Sequence, residues 1–384
     1  MNVVILGGGV MGASLAWHLA RRGCRSVTVI DRGAEPGTGS TGRATGGFRA
    51  QYGTAINVQL SLLARRLLLR FEDETGVSPG YEPAGYLWLA SSRAELDALA
   101  EARRVQHAEG LREAVEVSVD DVRRLNPAVE TSGLVGGAFC PTDGFIKPLQ
   151  ILSGYISGAA RHGVRFEWGA EIVGLDRLPD GRISAVRSRT NVWRADSVVN
   201  ACGAWAGSVG DRAGLHVPVT PLRRQILPTV PTQALPAAMP MTIFVDDGFH
   251  CRVRDGRVLL LRPSAGDAAD PFATSVDSAW MEDVTRIARR RLPCLSEVAV
   301  DRAAAWAGLY EMSPDRHALL GPHPECANLF LMNGSSGHGV MHAPALGLLL
   351  AEMMTEGRAV SLDVTPLAPD RFARGAANAS SGVL

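Results

Sequence analysis

Lysine is almost missing from this chain. Lys147 is the only one in 384 residues, and arginine supplies nearly all of the 39 positive charges. The acids also number 39, so the formal net charge is zero, and nothing in that balance calls for a nucleic-acid or membrane-surface partner. Cysteine is sparse and scattered: Cys24, Cys140, Cys202, Cys251, Cys294 and Cys326 form no CxxC pair and no His/Cys cluster with zinc spacing. They read as small buried residues in a reducing compartment, and no metal site is expected. No uninterrupted apolar run reaches membrane length. The first residues lack the basic segment and apolar stretch of a secretory leader, so a cytoplasmic location is expected.

What is there is an ordinary globular composition, 46% hydrophobic and 20% charged, at a length that favours about two domains. The spacing predicts a buried strand over 2–6, a helix over 10–22, and a second strand over 27–30 with Asp31 at its tip. Residues 33–53 hold seven glycines with serine, threonine and arginine. Helices are predicted over about 55–75, 92–109, 118–125, 148–162 and 278–291, and a last apolar one over 344–355. Strands are predicted over 86–90, near 164–168, 183–188 and 197–200, then over 243–245, 258–261 and 329–332. The Ala/Gly/Ser-rich tail over 375–384 is expected to be disordered.

Gly7-Gly8-Gly9-Val10-Met11-Gly12 fits G-x-G-x-x-G. The match alone is weak. Here it follows a strand, opens a helix and precedes a second strand that ends in an acid, the full context of a dinucleotide-binding βαβ unit. Gly7 allows the tight turn, Gly9 the approach of a pyrophosphate to the helix start, and Gly12 close packing of helix on sheet. Asp31 is placed to accept from ribose hydroxyls. A nicotinamide enzyme would continue with helix and strand soon after Asp31. The glycine-rich loop instead suits FAD lying extended across the sheet, with Ser40, Thr41, Arg43 and Thr45 as donors. A second glycine loop, Gly334-Ser335-Ser336-Gly337-His338-Gly339, joins a buried strand to an apolar helix, where a helix start can stabilise negative charge on a reduced flavin. A plain strand–helix turn would need fewer glycines.

Further segments carry a resemblance. Gly39-Ser40-Thr41-Gly42-Arg43-Ala44-Thr45-Gly46-Gly47-Phe48-Arg49, Val198-Val199-Asn200-Ala201-Cys202-Gly203-Ala204-Trp205, Pro221-Leu222-Arg223-Arg224-Gln225 and Ala307-Gly308-Leu309-Tyr310-Glu311-Met312-Ser313-Pro314-Asp315 occur in this order, followed by Gly337-His338-Gly339. Together they resemble the D-amino-acid oxidase / sarcosine oxidase superfamily of FAD enzymes, including sarcosine oxidase, glycine oxidase and FAD-linked proline dehydrogenases. The resemblance covers nearly the whole chain. It implies an α/β fold: a Rossmann-type FAD-binding domain (1–80, 145–215 and 320–374) interleaved with a mixed β-sheet substrate domain (81–144 and 216–319). It implies oxidation of the C–N bond of a secondary, N-methylated or cyclic amino acid, by hydride transfer to flavin N5, to an imine that hydrolyses.

Carried over residue by residue, it assigns FAD contacts to Gly7, Gly9, Val10, Met11, Gly12, Asp31, Arg32, Ser40, Thr41, Arg43, Thr45, Gly46, Gly47, Val173, Ala201, Gly203, Trp205, Gly308, Gly334, Ser336, Gly337, His338, Gly339, Val340 and Met341. Arg49 is the first choice for gripping a substrate carboxylate, because a guanidinium is a planar two-pronged donor. His338, beside the flavin, could bond flavin or substrate, or cap its helix. Tyr310 and His250 are further catalytic candidates, with Tyr52 and Arg262 as pocket candidates. The chain departs from its relatives at two places. Gly308 stands where monomeric sarcosine oxidases carry the Cys that attaches flavin, and no His lies near the N-terminal loop, so non-covalent FAD is expected. Met341 stands where those oxidases carry a Lys, which leaves either O2 or an electron-acceptor partner as the oxidant. A biosynthetic tailoring oxidase or monooxygenase is an alternative, although no second glycine fingerprint would hold NADPH. So is a non-catalytic flavin-binding subunit.

Overall fold

The computed structural model describes residues 1–264 and 270–379. In chain order, the strands of its two large sheets are β1 (Asn2–Leu6), β2 (Ser26–Ile30), β3 (Tyr86–Ala90), β4 (Val115–Val117), β5 (Gly136–Cys140), β6 (Arg165–Glu167), β7 (Ser197–Asn200), β8 (Thr220–Pro228), β9 (Met241–Phe244), β10 (His250–Arg254), β11 (Arg257–Leu261), β12 (Trp306–Met312), β13 (Leu319–His323) and β14 (Cys326–Asn333). The main helices are α1 (Val10–Arg21), α2 (Ala55–Leu68), α3 (Arg93–Ala108), α4 (Pro148–Arg161), α5 (Ser278–Arg291) and α6 (Gly339–Glu356).

The first sheet has the order β13-β14-β7-β1-β2-β6 and is parallel except for the β13 edge. Strand β1 is apolar along its length because both faces are covered. Val3 and Ile5 pack into a core with α1, α2, α4 and α6. Val4 and Leu6 pack with a small antiparallel sheet of Ile172–Arg177, Ile183–Ser188 and Val192–Arg194. The outer two of these three strands escape the sequence pattern, since Gly174, Asp176 and Arg194 break the apolar run.

The second sheet has the order β12-β8-β11-β10-β9-β3-β5-β4 and mixes parallel and antiparallel pairs. One face carries Leu87, Leu89, Cys251, Val253 and Leu260 against Trp280, Met281 and Val284 of α5. On the other face, register aligns Trp306, Ile226, Leu261, His250, Ile243 and Trp88 in one row across six strands. A polar His250 within that aromatic and aliphatic row faces the space between the sheets.

Two sequence expectations about helices are corrected. The helix expected over 55–75 is two, Ala55–Leu68 and Phe71–Thr75, broken at Leu69 and Arg70. The last helix begins at Gly339, five residues before Pro344, which lies inside it. A proline suits a first turn, where its missing N–H is not needed, and here the glycine loop supplies that turn instead. Within the 375–384 tail, Asn378 N and Nδ2 each donate to Asp315 Oδ2 at 3.0 Å. That carboxylate also holds the buried Arg371. Residues 380–384 lie outside the described ones. Among the described residues no helix is long and apolar enough to cross a membrane.

Candidate active site

A cavity of about 870 Å³ lies between the two sheets, within the size range of cofactor pockets. At one end β1 runs into Gly7, whose φ of +102° excludes most side chains. A Cβ on Gly7 would collide with the Ala201 carbonyl, and one on Gly12 with the Gly7 carbonyl. The turn therefore closes only with glycine at both positions. Asp31 receives Gly8 N at 2.7 Å and Gly33 N at 2.6 Å. Gly9 starts α1 with no side-chain cap, leaving the helix start open to an anion, with Thr41 Oγ1 accepting from Val10 N at 3.1 Å. Arg32 stacks 3.8 Å from the Trp205 ring.

Most residues singled out in the sequence meet around this cavity: Gly7, Gly9, Val10, Met11, Asp31, Arg32, Thr41, Thr45, Gly46, Gly47, Ala201, Gly203, Trp205, Gly308, Ser336, Gly337, Gly339, Val340 and Met341 all line it. Gly12, Tyr52, Val173, Arg262 and Gly334 do not line it. Val173 is 39% exposed on the outer side of its strand, and its neighbour Ile172 faces inward. Gly334 lies behind the loop against Leu319 and Ser313. Ser40 and Arg43 line the cavity and also reach the second sheet: Ser40 Oγ donates to Leu309 O at 2.8 Å and Arg43 Nη1 to Ala307 O at 2.7 Å. They hold the glycine loop against β12. Arg262 is paired with Asp283 and does not line the cavity.

At the other end stands Arg49, buried over the Tyr52 ring at 4.3 Å. Its backbone is fixed by Asp143, which accepts from Ala50 N at 2.7 Å and Gln51 N at 3.3 Å. Burial pushes the Asp143 carboxyl up to about 7, against those two amides and Arg49. Arg49 Nη2 lies 3.1 Å from His338 Nε2. Arginine can only donate, so that ring nitrogen accepts and is unprotonated. The same sense follows from burial, with Arg49, His342 and His317 adding to it, which together hold the His338 pKa well below its usual value. His338 is therefore a partner of Arg49 and makes no side-chain cap on α6. Arg49 Nη1 is buried and has no partner. Tyr310 lines the cavity against Gly337 (φ +96°), where a Cβ would strike the tyrosine ring. His250 Nδ1 bonds Gly248 O at 2.9 Å. Burial, then Arg49 and Arg224, take its pKa down to about 4.

The sequence reading gave no site role to Asp143, Trp88, Arg224 or Glu311, although the last two stand in segments that carry the resemblance. Tyr86 and Trp88 were legible as alternate residues of a predicted strand, but which face met the cavity was not. Glu311 is buried, accepts from Ser335 N at 3.3 Å, and leaves Oε2 without a partner. Burial pushes its carboxyl up to about 7.

The family described as DAO, FAD dependent oxidoreductase, matches residues 2–353. The chain belongs to that family. As a DAO-family FAD-dependent oxidoreductase, it uses FAD as its cofactor. The residues present fit that group: a helix start without a side-chain cap for the diphosphate, glycines where a Cβ has no room, and the cavity-lining Glu311, whose buried Oε2 has no partner. The chain is 28% identical to FAD-dependent oxidoreductase domain-containing protein 1 of Bos taurus, covering 97% of this chain and 84% of that protein. It is also 28% identical to the mitochondrial dimethylglycine dehydrogenase of Mus musculus, where 97% of this chain spans 44% of that protein. Among solved structures, the L-proline dehydrogenase from P. horikoshii superposes with a TM-score of 0.90 at 26% identity, over 98% of this chain and 99% of that one. The DAO-family fold is thus an α/β one, with a Rossmann-type sheet beside a mixed sheet.

Proposed function

We propose that this DAO-family enzyme oxidises the C–N bond of a secondary, N-methylated or cyclic amino acid, with FAD held non-covalently. Segments 1–80, 145–215 and 320–374 would hold the FAD and segments 81–144 and 216–319 would shape the substrate site, a division supported by which sheet each strand joins. The observation that carries the substrate reading is the buried, unpartnered Nη1 of Arg49. An unmatched guanidinium donor in a buried site is costly, and a carboxylate is its natural two-pronged partner. Two relatives are named for proline and for dimethylglycine. Both are amino acids with at least two carbons on nitrogen.

FAD, which the Gly7–Gly12 turn and Asp31 would hold, would supply the two-electron acceptor. The chain's own residues do the rest. Arg49 fixes the carboxylate and so the direction of the Cα–N bond. Tyr52 and Trp88 wall Arg49 off from water, with the Trp88 ring 5.2 Å from the guanidinium. Burial keeps His338 and His250 neutral at pH 7, so neither repels a cationic amine. With the amine lone pair free, the C–N bond is ready for oxidation, and the imine released hydrolyses in water. Among the described residues no lysine lines the cavity. At Met341 the sulfur instead accepts from Tyr52 OH at 3.3 Å. This supports an electron acceptor other than O2.

The reading is tested by mixing FAD-loaded protein anaerobically with N-methyl, cyclic and D-amino acids, then admitting air. Bleaching by a secondary amino acid, with slow recovery in air, is expected. A flavin left oxidised by every compound would defeat the proposal.

A further inference from the structure

The row Leu222, Arg224 and Ile226 of β8 faces the cavity, and its central residue is a cation. The alternate residues Arg223 and Gln225 turn the other way, to Ser275 and Ser264. Across the strand pair, Arg224 stands opposite Gly308, so its partner position carries no side chain of its own, and Arg43 packs over that glycine. Two other arginines set into the interior have strong partners. Arg371 pairs with Asp315, and Arg252 donates to Thr45 O and Gly46 O. Arg224 has only a 3.4 Å bond to Arg223 O and the Tyr310 ring at 5.4 Å.

Its charged surroundings are wrong for a structural ion pair. Burial lowers its pKa, Tyr310 opposes that, and Arg316, which also lines the cavity, adds to it; no carboxylate takes part. Among the described residues, Arg224 and Arg316 make no salt bridge. The cavity's acids Asp31, Glu35 and Glu171 belong to the end near α1, and Glu311 is turned to Ser335. His250 lies within electrostatic reach of both Arg49 and Arg224. Two under-used guanidiniums therefore flank one chamber.

We propose that Arg224 is a second anion-binding residue and that the substrate is a dicarboxylate: a secondary amino acid whose nitrogen substituent carries a second carboxylate, held between Arg49 and Arg224. The inference rests on the reading of Arg49 given above. It explains why a cation interrupts an apolar row, since a desolvated guanidinium is tolerated where a ligand completes its hydrogen bonds.

The test uses two inert thioethers that differ by one carboxylate, thiodiacetate and (methylthio)acetate, titrated into FAD-loaded protein while the flavin absorbance is followed. The expected Kd of thiodiacetate is at least tenfold lower. Arg224→Met should close that gap and Arg224→Lys keep part of it, each with the flavin spectrum of a folded holoenzyme. In turnover, the kcat/KM ratio of iminodiacetate to sarcosine should fall at least tenfold in Arg224→Met. Equal Kd values, or a gap and ratio that survive Arg224→Met, overturn the inference while leaving the amine reading intact if sarcosine or proline still reduces the flavin. Reduction by no carboxylated amine overturns both.

Discussion

Arg49 is buried with Nη2 on the His338 ring and Nη1 without a partner. Its place after the glycine loop marked it among many arginines. What the sequence did not carry is the pair of backbone amides after it, locked by Asp143 from 92 and 93 residues away, or the His338 ring that takes one of its nitrogens. Arg49→Met removes a charge-assisted pair worth about 3 kcal/mol, so kcat/KM for the amino acid should fall about a hundredfold or more; steady-state kinetics read this directly. Glu311 stood in the 307–315 segment that carries the resemblance, but nothing periodic marked it as the residue that meets the second glycine loop. We expect Glu311→Ala to weaken FAD binding about tenfold, on the order of one hydrogen bond, and Glu311→Gln to keep most of the affinity, because the amide oxygen still accepts. Quenching of FAD fluorescence by apoprotein measures both, and equal affinities for all three proteins would remove Glu311 from the cofactor site.

The elements were easier to read where one period dominated. The βαβ start was plain from its buried strands, glycines and Asp31, whereas α6 was placed five residues late because Pro344 looked like a first-turn residue. The tight contact of α1 with its strand gives a sharp test. A Cβ on Gly12 would collide with the Gly7 carbonyl, so Gly12→Ala should yield protein depleted in FAD with a lowered urea midpoint; native flavin content would refute that packing argument. In the same helix His18 is buried, with Nε2 unpartnered. Burial first, then Arg21 and Arg22, hold its pKa at about 3. The unfolded chain, titrating near 6.5, binds one more proton between those values. The stability that neutral His18 contributes is full above pH 6.5 and is lost as pH falls towards 3, by about 1.4 kcal/mol per unit. His18→Gln should flatten the decline in unfolding free energy between pH 7 and 5 by about that slope, measured by urea titration.

For the whole molecule, the two-part α/β plan and the FAD cofactor followed from motif order. The closure of the site did not, because Arg49, His338, Trp88, His250 and Arg224 come from segments up to about 290 residues apart and meet only when both sheets face each other. Position along the chain carries no signal for such a meeting; only register does, as in the row from Trp306 to Trp88. Within the tail, Asn378 is held by a carboxylate that composition cannot show. The most direct test of the account is a crystal structure of the FAD-loaded protein with a non-oxidisable carboxylate analogue of a secondary amino acid. The account predicts the flavin between the sheets and the carboxylate on Arg49 Nη1. A carboxylate bound elsewhere, with Nη1 still unpartnered, would contradict it.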